Sequence, residues 1–209
     1  MIDCGADWLG RLKRVDPTAI VATHAHSDHA AGLAKGAPCP VYATAETWSK
    51  LERYPVADRR SVRSREPFRI GKIRLEAFPV EHSLLAPAVG YRVTAGRVAV
   101  FYVPDLASIH DRGDALRGVA LYIGDGATVT RSMVRRRGHS LIGHAPIAAQ
   151  LRWCKEERIV RAIFTHCGSE IVRSEPRAIE TRVKRLGLDQ GVDASLARDG
   201  LVLSLTGRA

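Results

Sequence analysis

The chain has 209 residues, 45% hydrophobic and 26% charged, with a net charge of +10; that suits one domain, or two very small ones, with a buried core. No apolar run approaches the about 20 residues of a spanning helix. The start, Met1-Ile2-Asp3-Cys4-Gly5-Ala6-Asp7, lacks the basic and apolar regions of a signal peptide, so the expectation is a cytoplasmic protein without membrane association.

In chain order, the apolar stretch Ala19-Ile20-Val21-Ala22 predicts a strand over 19–23, which runs into His24-Ala25-His26-Ser27-Asp28-His29. On a strand, His24 and His26 would point to the same side. Asp28 and His29 would follow in the turn, free to face the other way. Such spacing suits two neighbouring metal ions, and imidazole with carboxylate suits zinc, manganese or iron better than calcium or a thiolate cluster. The pattern continues with a helix near 28–34, a strand at Val41-Tyr42 and a helix near 46–53. Strands follow near 68–70, 73–79, 88–94 and 97–103. A helix near 107–116 precedes a strand over 120–123. Helices near 146–157 and 175–186 flank a strand over 160–165, and Asp199-Gly200 turns into a last strand over 201–205. Without repeats, low-complexity tracts or long linkers, residues 1–209 read as a single layered domain of α/β or α+β class.

Two metals need more than four ligands. His82 follows Ala77-Phe78-Pro79-Val80, Asp105 follows Val100 to Val103 and Pro104, and His166 follows Ala162-Ile163-Phe164-Thr165. Three further strands thus each deliver a ligand-type residue at the carboxyl end, as in a site built on the rim of a sheet. Gly124-Asp125-Gly126 reads as a turn that presents Asp125. Cys4, Cys39, Cys154 and Cys167 form no CxxC pair and read as free thiols; Cys167 directly follows His166, although its strand neighbour would point the other way. Arginine supplies most of the positive charge, in two groups: Arg59, Arg60, Arg63, Arg65 and Arg69, then Arg131, Arg135, Arg136 and Arg137. Their forks match phosphate, so they form either a solvated surface or an attraction for a phosphate-bearing substrate, nucleic acid included.

The pattern His24, His26, Asp28, His29, then His82, Asp105 and His166 resembles the signature of the metallo-β-lactamase-fold hydrolases. The resemblance spans nearly the whole chain. It implies an αββα sandwich of two mixed β-sheets flanked by helices, with a dinuclear site at one edge. His24, His26 and His82 would hold one divalent ion and Asp28, His29 and His166 the other, with Asp105 bridging; zinc is the expected metal and manganese the alternative. The stretches Glu81-His82-Ser83, Val89-Gly90-Tyr91-Arg92-Val93 and Val100-Phe101-Tyr102-Val103-Pro104-Asp105 resemble the phosphodiesterase side, which holds the tRNA 3′-processing endonucleases and a cyclic phosphodiesterase. The Gly-His-Thr-Pro-Gly type motif of lactamases and glyoxalase II enzymes is not present. Gly143-His144-Ala145-Pro146 places His144 where phosphodiesterase members carry a catalytic histidine that is no ligand; His139 is the competing candidate. Relatives run through one or two strands before an Ile-Asp-Cys-Gly-like segment, so the first strand or strands of the sandwich have no counterpart here. Nor does a glycine- and proline-rich arm for gripping tRNA.

The resemblance implies hydrolysis of a small phosphodiester or nucleotide-like substrate by water activated between the ions. Asp28 or a group on the metal would accept the proton. His144, as imidazolium, would stabilise the transition state or protonate the leaving oxygen. Asp3 and Asp125 are candidates to fix imidazole tautomers. Hydrolysis of a thioester, lactone or lactam is the alternative chemistry, and a nucleic-acid-binding protein on a catalytically silent fold is the alternative class. A dimer is compatible with the sequence but not specified by it.

Overall fold

The computed structural model describes residues 1–205 and sets two sheets face to face. The smaller sheet has three parallel strands, β1 (Ile20–Val21), β2 (Val41–Thr44) and β3 (Arg59–Val62), with Ile2 bridged to Val21 at its edge. The larger sheet holds β4 (Phe68–Ile70), β5 (Ile73–Glu81), β6 (Ala88–Ala95), β7 (Val98–Tyr102), β8 (Ser108–Ile109), β9 (Leu121–Asp125), β12 (Arg161–Thr165) and β13 (Asp193–Leu196). Its order is β13-β12-β9-β7-β6-β5-β4, with β8 paired to the end of β5. Strands β13, β12, β9 and β7 run parallel, while β7, β6, β5 and β4 alternate in direction. Between β9 and β12, β10 (Arg135–Arg137) and β11 (Ser140–Ile142) form a separate antiparallel hairpin.

Strand alternation sorts the apolar side chains into three seams, and the seams define four layers. Val21 and Tyr42 face Leu75, Ala77, Val89 and Tyr91 of the larger sheet. Their neighbours Ile20, Ala22, Val41 and Ala43 turn the other way. There they meet Leu12 of α1 (Leu12–Val15), Ala30 of α2 (Ser27–Ala30) and Trp48 of α3 (Ala45–Lys50). On the far side of the larger sheet, Phe78, Phe101, Tyr122 and Phe164 pack on α4 (Arg112–Leu116), α5 (Ile147–Glu156), α6 (Ser169–Val172) and α7 (Pro176–Leu188). The sandwich is therefore αββα.

The helices obey local rules. In α7 the buried residues Ile179, Val183 and Gly187 recur every four positions, Pro176 sits in the first turn, and Glu175 caps the start by accepting from the Arg177 and Ala178 amides. In α5 the buried stripe is Ile147, Gln150, Leu151 and Cys154. One member of that stripe is polar.

Three expectations need correction. The helix near 107–116 is shortened, because Ser108–Ile109 pairs with Val80 and Glu81, and the Ser108 hydroxyl donates to the Glu81 carboxylate at 2.6 Å. Tertiary pairing outweighs the local helical pattern there. The last strand lies at Asp193–Leu196, and residues 201–205 join no sheet. The edge they would have extended is already served: α7 packs on β13, and Glu180 of α7 accepts the Leu196 amide at 3.3 Å. Val202 stays 86% exposed. The helix expected near 28–34 is a short α-turn followed by a 3₁₀ segment at Ala31–Lys35. Among the described residues no helix is long and apolar enough to cross a membrane.

Candidate metal centre

Strands β5, β7, β9 and β12 share one direction and end on one edge of the larger sheet. From that edge project His82 just beyond β5, Asp105 beyond β7, Asp125 at the end of β9 and His166 beyond β12. The loop after β1 brings His24, His26, Asp28 and His29 against the same edge. It is held there by the Val89 amide donating to the Thr23 carbonyl and the Tyr91 hydroxyl donating to the Ala22 carbonyl.

All seven residues of the sequence pattern converge. His24 Nε2 lies 2.9 Å from His26 Nδ1 and 3.3 Å from Asp105 Oδ2, and His82 Nε2 lies 3.2 Å from His26 Nδ1 and 3.4 Å from the same oxygen. On the other side, His29 Nε2 is 3.2 Å and His166 Nδ1 2.8 Å from the Asp105 carboxylate. Asp28 Oδ2 is 3.0 Å from His166 Nε2 and 3.6 Å from His29 Nε2. Asp105 therefore stands between a group of three imidazoles and a group of two imidazoles and a carboxylate.

The neighbours of these rings fix which nitrogen faces inward. The Thr23 hydroxyl donates to Asp3, so it accepts from His24 Nδ1 at 3.0 Å. His29 Nδ1 donates to Asp3 Oδ2 at 2.8 Å, and His82 Nδ1 donates to the Gly143 carbonyl at 3.2 Å. Each of these rings spends its Nδ1 proton outward and turns Nε2 toward Asp105, where the neutral ring offers a lone pair to a cation. Bare nitrogens about 3 Å apart repel unless positive charge lies between them. A tetrahedral cation with bonds of about 2.0–2.1 Å sets its ligands roughly 3.3–3.4 Å apart, close to the separations found. His29 Nε2, Asp105 Oδ1 and His166 Nδ1 are buried without any hydrogen bond. The donor set fits one or two divalent cations.

Charge follows the same plan. Burial lowers His26, and lowers His82 to about 4, so both rings are neutral. Burial opposes protonation of His29 and His166 as well, but there the carboxylates outweigh it, lifting His29 to about 10 and His166 to about 9. Burial works against ionised Asp105 too, yet the surrounding imidazoles hold its carboxyl far below the usual range. Two residues of the site, Asp3 and His166, adopt left-handed conformations with φ of 58° and 52°.

His144 stands beside the cluster, its ring stacked against His166 at 6.0 Å. Its Nδ1 donates to Asp125 Oδ2 at 2.8 Å, which raises its pKa and favours the imidazolium. His139, the competing candidate, lies exposed in the turn of the β10–β11 hairpin. The Cys167 thiol points toward the Phe164 carbonyl and packs on the core behind the site. A cavity of about 640 Å³ opens beside His144 and His166, lined also by Arg131, Arg173, Ser169 and Glu170.

The two arginine groups separate here. Arg59 is spent on main-chain carbonyls of the loop after α3, Arg60 on Asp58, Arg63 on Glu66, and Arg65 on Asp111, Asp114 and Glu76. Among the described residues, Arg131, Arg135, Arg136, Arg137 and Arg173 form no ion pair, and of the first group only Arg69 shares that state. Glu170 in the cavity wall is already bound by Arg182 and Thr128. Nothing local in the sequence distinguishes Arg173 from other exposed arginines. Gln150 was passed over, although a polar residue inside the apolar stripe of α5 is a legible signal.

With this geometry in place, the comparisons give the class. The chain belongs to the β-lactamase superfamily, whose domain model matches residues 1–167. Its fold and His/Asp cluster are those of the metal-dependent hydrolases of that superfamily. The metallo-β-lactamase fold protein YhfI from Bacillus subtilis superposes with a TM-score of 0.72 at 16% identity, over 96% of this chain and 84% of that one. A diphosphatase of the PhnP family gives 0.64 at 22%, over 96% and 76%. The short form of human tRNase Z gives 0.62 at 18%, over 98% and 87%. At such identities the likeness is one of fold. A search of curated proteins found no sequence match.

Proposed function

We propose that the protein hydrolyses a phosphodiester with two divalent ions, zinc or manganese. His24, His26 and His82 would hold one, Asp28, His29 and His166 the other, and Asp105 would stand between them. When bound, the ions supply Lewis acidity toward phosphoryl oxygens and acidify water. The observation that carries the reading is the set of donors next to the cluster: His144, oriented by Asp125, with Arg131 and Arg173 on the same cavity. That set suits a substrate that is anionic throughout its reaction. A neutral thioester, lactone or lactam gains little from it.

The residues divide the work as follows. Arg131 and Arg173 draw in and orient the anionic substrate. His144, charged through Asp125, donates from its other nitrogen to the leaving oxygen. Asp3 and Thr23 hold His29 and His24 in the tautomers that direct Nε2 inward. The names of two similar folds, a diphosphatase and a tRNase Z, point to phosphorus-centred substrates, while a third is named an isothiocyanate hydrolase.

The test is a substrate panel on metal-loaded protein: bis-p-nitrophenyl phosphate and a dinucleoside phosphate against a thioester, a lactone and a lactam. The phosphodiesters should show the highest kcat/KM. A higher value for any acyl substrate would overturn the reading in favour of acyl hydrolysis.

A further inference from the structure

Gln150 is fully buried in the stripe of α5 that otherwise packs apolar side chains. Burying an amide is costly unless each of its polar atoms is satisfied, and here all are. Oε1 accepts from the Tyr122 hydroxyl at 2.9 Å and the Asp125 amide at 3.0 Å; Nε2 donates to the Asp125 carbonyl at 2.7 Å and the Ala145 carbonyl at 2.8 Å. One side chain thus grips both main-chain polar groups of Asp125 and the carbonyl of the residue after His144. The Asp125 carboxylate in turn accepts from His144 Nδ1 at 2.8 Å and from the Leu106 amide, next to Asp105, at 3.1 Å. Space for the clamp comes from Gly124, where a Cβ would fall 2.4 Å from Gln150 Oε1.

We infer that Gln150 is a positioning residue: it sets the separation and orientation of the Asp125–His144 pair, and through it the aim of His144 at the leaving group. The inference rests on the phosphodiesterase reading for its kinetic consequence, but not for its geometry. A filler of the same volume would serve packing alone. Only an amide, with two donors and an acceptor, can tie β9 to the loop before α5.

The experiment is a double-mutant cycle on the metal-loaded protein, using Gln150→Met and His144→Ala. With a dinucleoside phosphate, whose leaving alkoxide needs a proton, Gln150→Met should lower kcat about 10- to 100-fold, a part of the about 10²- to 10⁴-fold that a general acid supplies, and leave KM unchanged. With bis-p-nitrophenyl phosphate, whose leaving group needs none, it should lower kcat less than about threefold on the same reasoning. In the His144→Ala background the further loss should vanish. An equal loss in both backgrounds, or for both substrates, would mean that Gln150 only supports the fold and would overturn the inference. Gln150→Glu, which as a buried neutral carboxyl keeps the shape and the acceptor but only one of the two donors, covers the case in which the methionine variant does not fold, and the same outcomes apply to it.

A second readout needs no turnover. In metal-free native protein, NMR should show a slowly exchanging His144 Nδ1 proton bound to Asp125, and this signal should be lost or shifted in either Gln150 variant. An unchanged signal overturns the inference even if phosphodiesters are cleaved. A lost signal supports it even if the native chain cleaves none, in which case the phosphodiesterase reading alone fails.

Discussion

Asp3 carries more of the site than its distance from the cation positions suggests. It accepts from His29 Nδ1, the Thr23 amide and the Thr23 hydroxyl. Asparagine offers one acceptor oxygen where the carboxylate offers two, so Asp3→Asn should weaken metal affinity about 10- to 100-fold. Competition with a chromophoric chelator measures this, and unchanged affinity would mean that Asp3 is only a turn residue. His144→Ala should lower kcat on a dinucleoside phosphate about 10²- to 10⁴-fold, with metal content unchanged by elemental analysis. Gly5 is constrained by contact rather than by φ: a Cβ there would sit 2.0 Å from the Asp28 carbonyl oxygen. Gly5→Ala should therefore destabilise the protein by about 1–3 kcal/mol, read by urea unfolding. The seven-residue pattern itself was legible in the sequence, because four members crowd into six positions after one apolar run and the other three each follow an apolar run of their own. The tautomers were not, since they depend on Thr23, Asp3 and Gly143 approaching from other segments.

At the scale of elements, the legible pieces were those with strong local periodicity. Strands β5, β6, β7 and β12 and helices α5 and α7 lie where their apolar patterns predict. The failures lie where a tertiary partner decides the outcome. Ser108–Ile109 becomes a strand because the end of β5 and the Glu81 carboxylate are there to receive it. Residues 201–205 alternate like a strand but pair with no strand of either sheet. Arg65 shows what the first arginine group does: it bridges Asp111, Asp114 and Glu76 and lies 4.5 Å over the Phe78 ring. Arg65→Met should cost about 1–2 kcal/mol of stability from the combined ion-pair and cation–π contacts. That loss should shrink at high salt, with metal affinity unaffected. A large change in metal affinity would mean that this group reaches the site after all.

Over the whole molecule, the seam of Val21, Tyr42, Leu75, Ala77, Val89 and Tyr91 is shared by both sheets, so neither sheet can lose it alone. We propose that residues 1–209 unfold as one unit. The proposed cation positions would draw ligands from segments of both sheets, and metal binding should therefore stabilise that unit. At a free-metal concentration 100 times Kd the gain is about 2.7 kcal/mol, or roughly 5–10 °C in Tm for a chain of this size. A chelator should remove it, as followed by scanning calorimetry; an unchanged Tm would mean that the cluster binds no metal. The sequence by itself determined the kind of chemistry, because ligand-type residues at strand ends declare themselves locally. Only the tertiary structure decided which nitrogen each imidazole turns inward, which arginines remain uncommitted and that Gln150 ties Asp125 to the His144 loop. Each of these depends on partners far away along the chain, and no local pattern records which distant segment will arrive.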